Sequence, residues 1–122
     1  MVILVTNNPL VKERYHSEFK VEFLDTDMLG VLIHIRDCIH KGYKLLTHPL
    51  SGSVKPNETP YKSVLILDNP KDNDPQSEDH VQSVNIIEEA SKTVRKFPLK
   101  HIPEEYLHDL QTIDLTLIRS AL

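Results

Sequence analysis

The chain of 122 residues has no tryptophan, one cysteine and three glycines. A lone Cys38 excludes an intramolecular disulfide and any CxxC redox or metal centre. Phosphate-cradling loops are missing as well: neither GxxxxGK[ST] nor GxGxxG occurs, and "SGSVK" (51–55) does not fit the first pattern. Positive charge is in deficit, with 14 Lys and Arg against 18 Asp and Glu and a formal charge of −4. Nucleic-acid binding, which wants a basic face, is therefore not expected. No apolar run approaches the roughly 20 residues of a membrane span. The opening "MVILVTNNP" has neither the length nor the basic leader of a secretory signal. These absences leave the expectation of a cytoplasmic globular protein with no cofactor, no metal and no nucleic-acid or membrane partner. Residues 1–122 suffice for one domain with its own hydrophobic core.

What is present alternates between strand and helix. "VILVT" (2–6) is a β-branched run of the kind buried on both faces in parallel sheets. Asn7 and Asn8 precede Pro9, an Asn cap with proline at the first helical position. "KVEFLD" (20–25) is the second strand. "TDMLGVLIHIRDCIHKG" places Met28, Leu32, Ile35 and Ile39 on one helical stripe, with Asp25, Thr26 and Asp27 at its start and Lys41 and Gly42 at its end. "YKLLTH" and "SVLILD" (63–68) read as strands three and four, and "NPKDNDPQSED" (69–79) as an acidic connector. The next helix, "SEDHVQSVNIIEEASKTVRKF", aligns Val81, Val84, Ile87 or Glu88, Ser91 and Val94. In "IPEEYLHDLQTIDLTLIRSAL", Pro103 opens a last helix whose expected buried face is Leu107, Leu110, Ile113, Leu117 and Ala121. The pattern predicts an α/β fold of three layers. Its sheet is expected to be mostly parallel and four-stranded, in the order 2-1-3-4, flanked by about four helices, with the direction of strand four open.

"LLTHPLSGSVKPNETPYKS" (45–63) connects the last two strands through roughly fifteen residues, longer than compact domains carry without a reason. Were strands one and three neighbours, the crevice beyond their carboxyl ends would be a topological switch point, where open α/β sheets bind ligands. "TNNP" (6–9) and "THPLSGSVKPNETP" (47–60) would then emerge side by side. Thr6, Asn7, Asn8, Thr47, His48, Ser51, Gly52, Ser53 and Lys55 are the candidate binding residues, suited to a small carboxylate or phosphate at a helix amino terminus. The plainer alternative is that Asn8 only caps a helix while Pro, Gly and Asn only shape turns. His34 and Cys38, four apart with His40 nearby, lack the third and fourth ligands of a metal site. Cys38 reads instead as a small apolar residue. Ser51 or Ser53 with His48 has the residue types of a nucleophile and base, but neither serine lies in GxSxG and no acid orients the histidine. No catalytic residue is assigned. His80, His101 and His108 sit singly and receive no role.

"TNNPLVKERY" and "LLTHPLSGSVKPNETPYKSVLI" resemble the GrdX proteins, small bacterial proteins encoded beside the glycine reductase system of amino-acid-fermenting anaerobes. The likeness spans most of the first seventy residues. It implies a metabolic setting rather than a reaction. The glycine, sarcosine and betaine reductases rely on selenocysteine, reactive thiols and a pyruvoyl group, whereas this chain has one mid-helix cysteine and no selenocysteine. The resemblance thus implies an accessory of reductase metabolism, and the helix amino terminus beside the donor-rich loop adds the expectation that it binds a small anionic metabolite such as an amino acid or acyl phosphate. The alternative is an interaction module that docks a reductase subunit or forms a homodimer, for which exposed Leu or Ile on the last helix would be the mark.

Overall fold

Apolar content decides which strand occupies the centre of the sheet. The computed structural model describes residues 1–50, 55–68 and 77–122. In chain order these form β1 (Val2–Thr6), α1 (Pro9–Tyr15), β2 (Lys20–Phe23), α2 (Met28–His40), β3 (Lys44–Leu45), β4 (Ser63–Leu67) and α3 (Glu78–Lys96). A 3-10 turn (Glu104–Tyr106) then leads into α4 (Leu107–Arg119). The sheet order is β2-β1-β4-β3. β1 runs parallel to β2, from Ile3 opposite Lys20 to Thr6 opposite Phe23. It runs antiparallel to β4, from Val2 opposite Leu67 to Thr6 opposite Ser63, and β3 is also antiparallel to β4.

The α/β class and the four strands agree with the sequence reading, but the sheet is mixed rather than mostly parallel. Its order is 2-1-4-3, not 2-1-3-4, so β3 pairs with β4 and not with β1. The reason lies in the strands themselves. Four of the five residues of "SVLIL" are buried, which suits a strand covered on both faces. β3 has two half-buried residues, and its Lys44 reaches out to Asp79 at 3.1 Å. A short, charged strand is what an edge tolerates. The long connection therefore returns antiparallel instead of crossing over.

Helices cover both faces. On one, α2 and α3 close over Ile3, Val5, Val64 and Ile66 to form the larger core. On the other, Leu4 and Leu65 pack with Val11 and Tyr15 of α1 and Ile118 of α4. The helix starts are as expected: Asn8 Oδ1 accepts from Leu10 N–H at 3.0 Å with Pro9 at the first position, and Asp27 Oδ1 accepts from Gly30 N–H at 2.8 Å. Beyond the end of α2, Gly42 adopts the left-handed backbone (φ 100°) that ends helices. The expected stripe of Met28, Leu32, Ile35 and Ile39 is buried. On α3 the innermost residues are Ser83, Ile87, Ala90 and Ser91, while Val81 is exposed. Most of the acidic connector, 69–76, lies outside the described residues.

α4 departs most from expectation. Its buried residues are Asp114 and Ile118, with Leu115 packed beside them. Of the stripe expected inside, Ile113 is 41% exposed, Ala121 is exposed, and Leu107, Leu110 and Leu117 are half-buried. The helix is turned so that an acid faces the sheet, because the sheet end offers that acid hydrogen-bond partners.

Gly30, within α2, is a close approach rather than a defect. A Cβ there would lie 2.7 Å from Thr26 Cγ2 and 2.9 Å from Thr26 Cβ. Gly30→Ala should therefore lower stability by about 1 kcal/mol, overcrowding outweighing the gain in helix propensity. A urea midpoint that rises in the variant would refute this account.

Candidate functional site

β1 ends in polar residues that cannot reach water, so each must find a partner within the protein. Thr6 and Asn8 are fully buried, and Asn7 nearly so. The register sets Thr6 opposite Ser63, and their hydroxyl oxygens lie 2.7 Å apart. Thr6 Oγ1 also accepts from Asn8 N–H at 3.0 Å. Ser63 donates onward to Asp114 Oδ2 at 2.7 Å, and Asn8 Nδ2 donates to the same oxygen at 3.0 Å. Asn8 Nδ2 further donates to the Gln111 carbonyl at 2.9 Å. With its Oδ1 capping α1, Asn8 joins one helix start to the middle of another. These bonds fix the end of β1, the start of β4 and α4 relative to one another.

Asn7 works towards the other side. Its Nδ2 donates to the carbonyls of Thr26 (3.0 Å) and Pro60 (2.8 Å), while its Oδ1 accepts from Lys62 N–H at 2.9 Å. It thereby pins the entry to α2 and the end of the long connection to β1. Tyr61 accepts at its hydroxyl from Gln111 Nε2 at 2.9 Å, closing the connection against α4. Lys62, only 8% exposed, lies within this cluster. Burial pushes its ammonium below the ordinary lysine value, with the Asp114 charge opposing the shift.

Outside the polar cluster a cleft of about 470 Å³ opens at the carboxyl ends of β1 and β2. Asn7 and Pro9 line it after β1, and Phe23, Asp25 and Thr26 at and beyond the end of β2. Pro60 and Tyr61 come from the long connection, and Leu99, Lys100, His101 and Ile102 from the segment between α3 and the 3-10 turn. That segment is held by a hydrogen bond from Lys100 N–H to the Asn57 carbonyl at 3.0 Å. The cleft offers a cation, an imidazole and a phenol, with one carboxylate nearby.

The candidate residues from the sequence are thus divided. Thr6, Asn7 and Asn8 come together, and of these Asn7 reaches the cleft. Thr47 is elsewhere: its Oγ1 accepts from Leu65 N–H at 3.0 Å, extending the edge of β4. His48 is exposed and its Nδ1 accepts from Leu50 N–H at 3.1 Å, which shapes a turn. These two line a smaller cleft of about 210 Å³ with residues of β3 and α3. Lys55 is exposed, its carbonyl closing a turn with Glu58 N–H. Ser51, Gly52 and Ser53 lie outside the described residues.

Four residues that matter here have no role in the sequence reading: Ser63, Asp114 and Lys100, which it does not single out, and His101, which it weighs and leaves without one. Asp114 carried a signal, as an acid spaced three and four from Gln111 and Ile118 on a helix rich in Leu and Ile. Lys100 and His101 carried none, since only the fold brings 97–103 to the sheet end.

His34 and Cys38 do approach one another. His34 Nε2 lies 2.8 Å from Glu22 Oε2 and 3.7 Å from Cys38 Sγ. One nitrogen faces both partners, so the imidazole cannot relay a proton between thiol and acid through its two nitrogens. Burial, then the Glu22 charge, pushes the Cys38 thiol above its ordinary range, which keeps it protonated and unreactive. Among the described residues, no group of three His, Cys, Asp or Glu could hold a metal ion. Nor, among them, is any helix long and apolar enough to cross a membrane.

An α/β protein with a mixed sheet, a buried polar junction and a cleft at the carboxyl ends of its parallel strands is the class that emerges. The GrdX-like protein family model matches residues 3–122, and the chain belongs to that family. Comparison with curated proteins and with solved structures finds no match.

Two measurements probe the polar junction. Asp114→Ala should cost about 3 kcal/mol in urea unfolding, because Ser63 and Asn8 lose a charged acceptor in a buried site. A loss below about 1 kcal/mol would show that the junction is not a structural centre. Lys62 should leave a signature in alkali. Its folded-state value is depressed, so between that value and 10.5 the unfolded chain binds more protons and stability rises with pH. Cys38 acts oppositely: its raised folded value makes stability fall as pH rises above 9.0. Lys62→Met isolates the first effect, and the stability difference between wild type and variant should grow in favour of wild type towards pH 10.5. A flat difference would contradict the burial of this ammonium.

Proposed function

We propose that this GrdX-like protein is an accessory of glycine, sarcosine and betaine reductase metabolism that holds a small anionic metabolite, not one that carries out the reductive chemistry. The cleft at the carboxyl ends of β1 and β2 is the binding place. The observation behind this reading is the convergence on that cleft of Lys100, His101 and Tyr61 from separate segments, together with Asn7 and Thr26. Carboxyl-end crevices are where α/β sheets take ligands, and a lysine with an imidazole supplies charge and hydrogen bonds for a carboxylate or phosphate. Thr6 and Asn8 act from behind by fixing the backbone that presents Asn7. The metabolic setting rests on the family, whose resemblance implied it.

Thermal unfolding with glycine, sarcosine, betaine, acetyl phosphate and inorganic phosphate tests the reading. A ligand at one hundred times its dissociation constant should stabilise the fold by about 2.7 kcal/mol. Lys100→Ala, at the surface, should remove that response without altering the unliganded midpoint. Silence from all five compounds, or a response that survives Lys100→Ala, would sink this assignment.

A further inference from the structure

A second cleft, of about 330 Å³, opens between the start of α2 and the end of α3. Met28 and Leu29 line it from α2, Val94 from α3, Phe97 and Leu99 from the segment beyond, and Pro60 from the long connection. Its polar members are few. Asp27 Oδ1 is taken by the Gly30 N–H that it caps, and Thr59 Oγ1 accepts from Tyr61 N–H at 3.3 Å. Arg95 is exposed. Phe97 is 46% exposed and Leu99 48%, so two large apolar side chains border a cavity instead of filling it. Exposed apolar surface rimmed by polar residues marks ligand grooves, and the volume lies within the range of small-molecule sites.

This apolar cleft adjoins the one at the carboxyl ends of β1 and β2, because Pro60 and Leu99 line both. The shared wall is preformed. Asn7 Nδ2 holds the Pro60 carbonyl at 2.8 Å, and the bond from Lys100 N–H to the Asn57 carbonyl holds the segment that carries Leu99. Lys100 follows Leu99 directly, with consecutive Cα atoms about 3.8 Å apart. A cation and an apolar wall thus fall within the reach of one small molecule.

We propose that the ligand is a carboxylate with a hydrocarbon body, its head beside Lys100 and His101 and its body in the adjoining cleft against Leu29, Val94 and Phe97. This rests on the metabolite reading and narrows it to an amphipathic class. A bare anion would leave Phe97 and Leu99 in water, and a wholly apolar molecule would leave Lys100 and His101 unused. The two clefts together match a molecule with one charged end.

Binding titrations of the full chain by ligand-observed NMR test the pairing, with acetate, butyrate, hexanoate and inorganic phosphate as probes and hexanol as the uncharged control. Each buried methylene should lower the dissociation constant about fourfold, which makes hexanoate about fifteenfold tighter than butyrate. Hexanol should bind about tenfold more weakly than hexanoate, or worse, for want of a charged head. Phe97→Ala and Leu99→Ser, both at exposed positions, should each remove most of the gain from butyrate to hexanoate while circular dichroism and the thermal midpoint stay at wild-type values. If acetate and phosphate bind through Lys100 but longer acids gain nothing, this inference falls and the metabolite reading stands. Silence from phosphate and from every acid takes both down. A gain with chain length that survives both variants, or hexanol binding as tightly as hexanoate, overturns the inference too.

Discussion

One carboxylate organises the end of this molecule where function is sought. Asp114 Oδ2 accepts from Ser63 at 2.7 Å and from Asn8 at 3.0 Å, and so joins α4 to two strand ends and to the cap of α1. A buried acid is costly unless its lone pairs are taken, and here the donors come from segments far apart in sequence. The constraint spreads outward. Asn8 can cap α1 and also serve Asp114 only if β1 ends where it does. Asn7 is then aimed at Thr26 and Pro60, which positions the entry to α2 and the return into β4. The cleft beyond them takes its shape from these fixed backbones.

The same acid determines what α4 shows to solvent. A helix has room for one inward face, and Asp114 with Ile118 occupies it. Leu110, Ile113 and Leu117 are then rotated away, although their spacing alone marks them as core. The apolar outer stripe and the polar inner junction are two results of one rotation. Internal hydrogen bonding has outweighed the simplest apolar burial.

Much of the fold was legible in local pattern. The α/β class, the caps at Asn8 and Asp27, and the stripe of α2 follow from periodicity and capping chemistry confined to short windows. Strand order was not so confined. β3 and β4 both read as strands, but their places in the sheet depend on which is buried on both faces, and the length of the connection permits a crossover or a return equally. The site was half legible. Thr6, Asn7 and Asn8 stand out as polar residues at the end of an apolar strand, whereas Thr47 and His48 lost their place beside them once β4 came between β1 and β3. Lys100 and His101 belong to a segment with no periodicity, so nothing local distinguishes them.

The two faces of the sheet are unequal in how they are held. Under α2 and α3 the buried cluster includes Val31, Leu32, Ile35, Ile39, Ile87 and Ala90. Under α1 and α4, among the described residues, it comprises Leu4, Val11, Tyr15, Leu65 and Ile118, with Val2, Phe19, Val21 and Leu115 packed against them. On this second face the hydrogen bonds to Asp114 supply much of what holds α4, because the apolar area beneath it is small. α2 therefore rests on more buried apolar area than α4, and resistance to local opening follows such contact. Amide exchange along the sequence would accordingly be slowest in the interior of α2 and fastest, among the long helices, in α4.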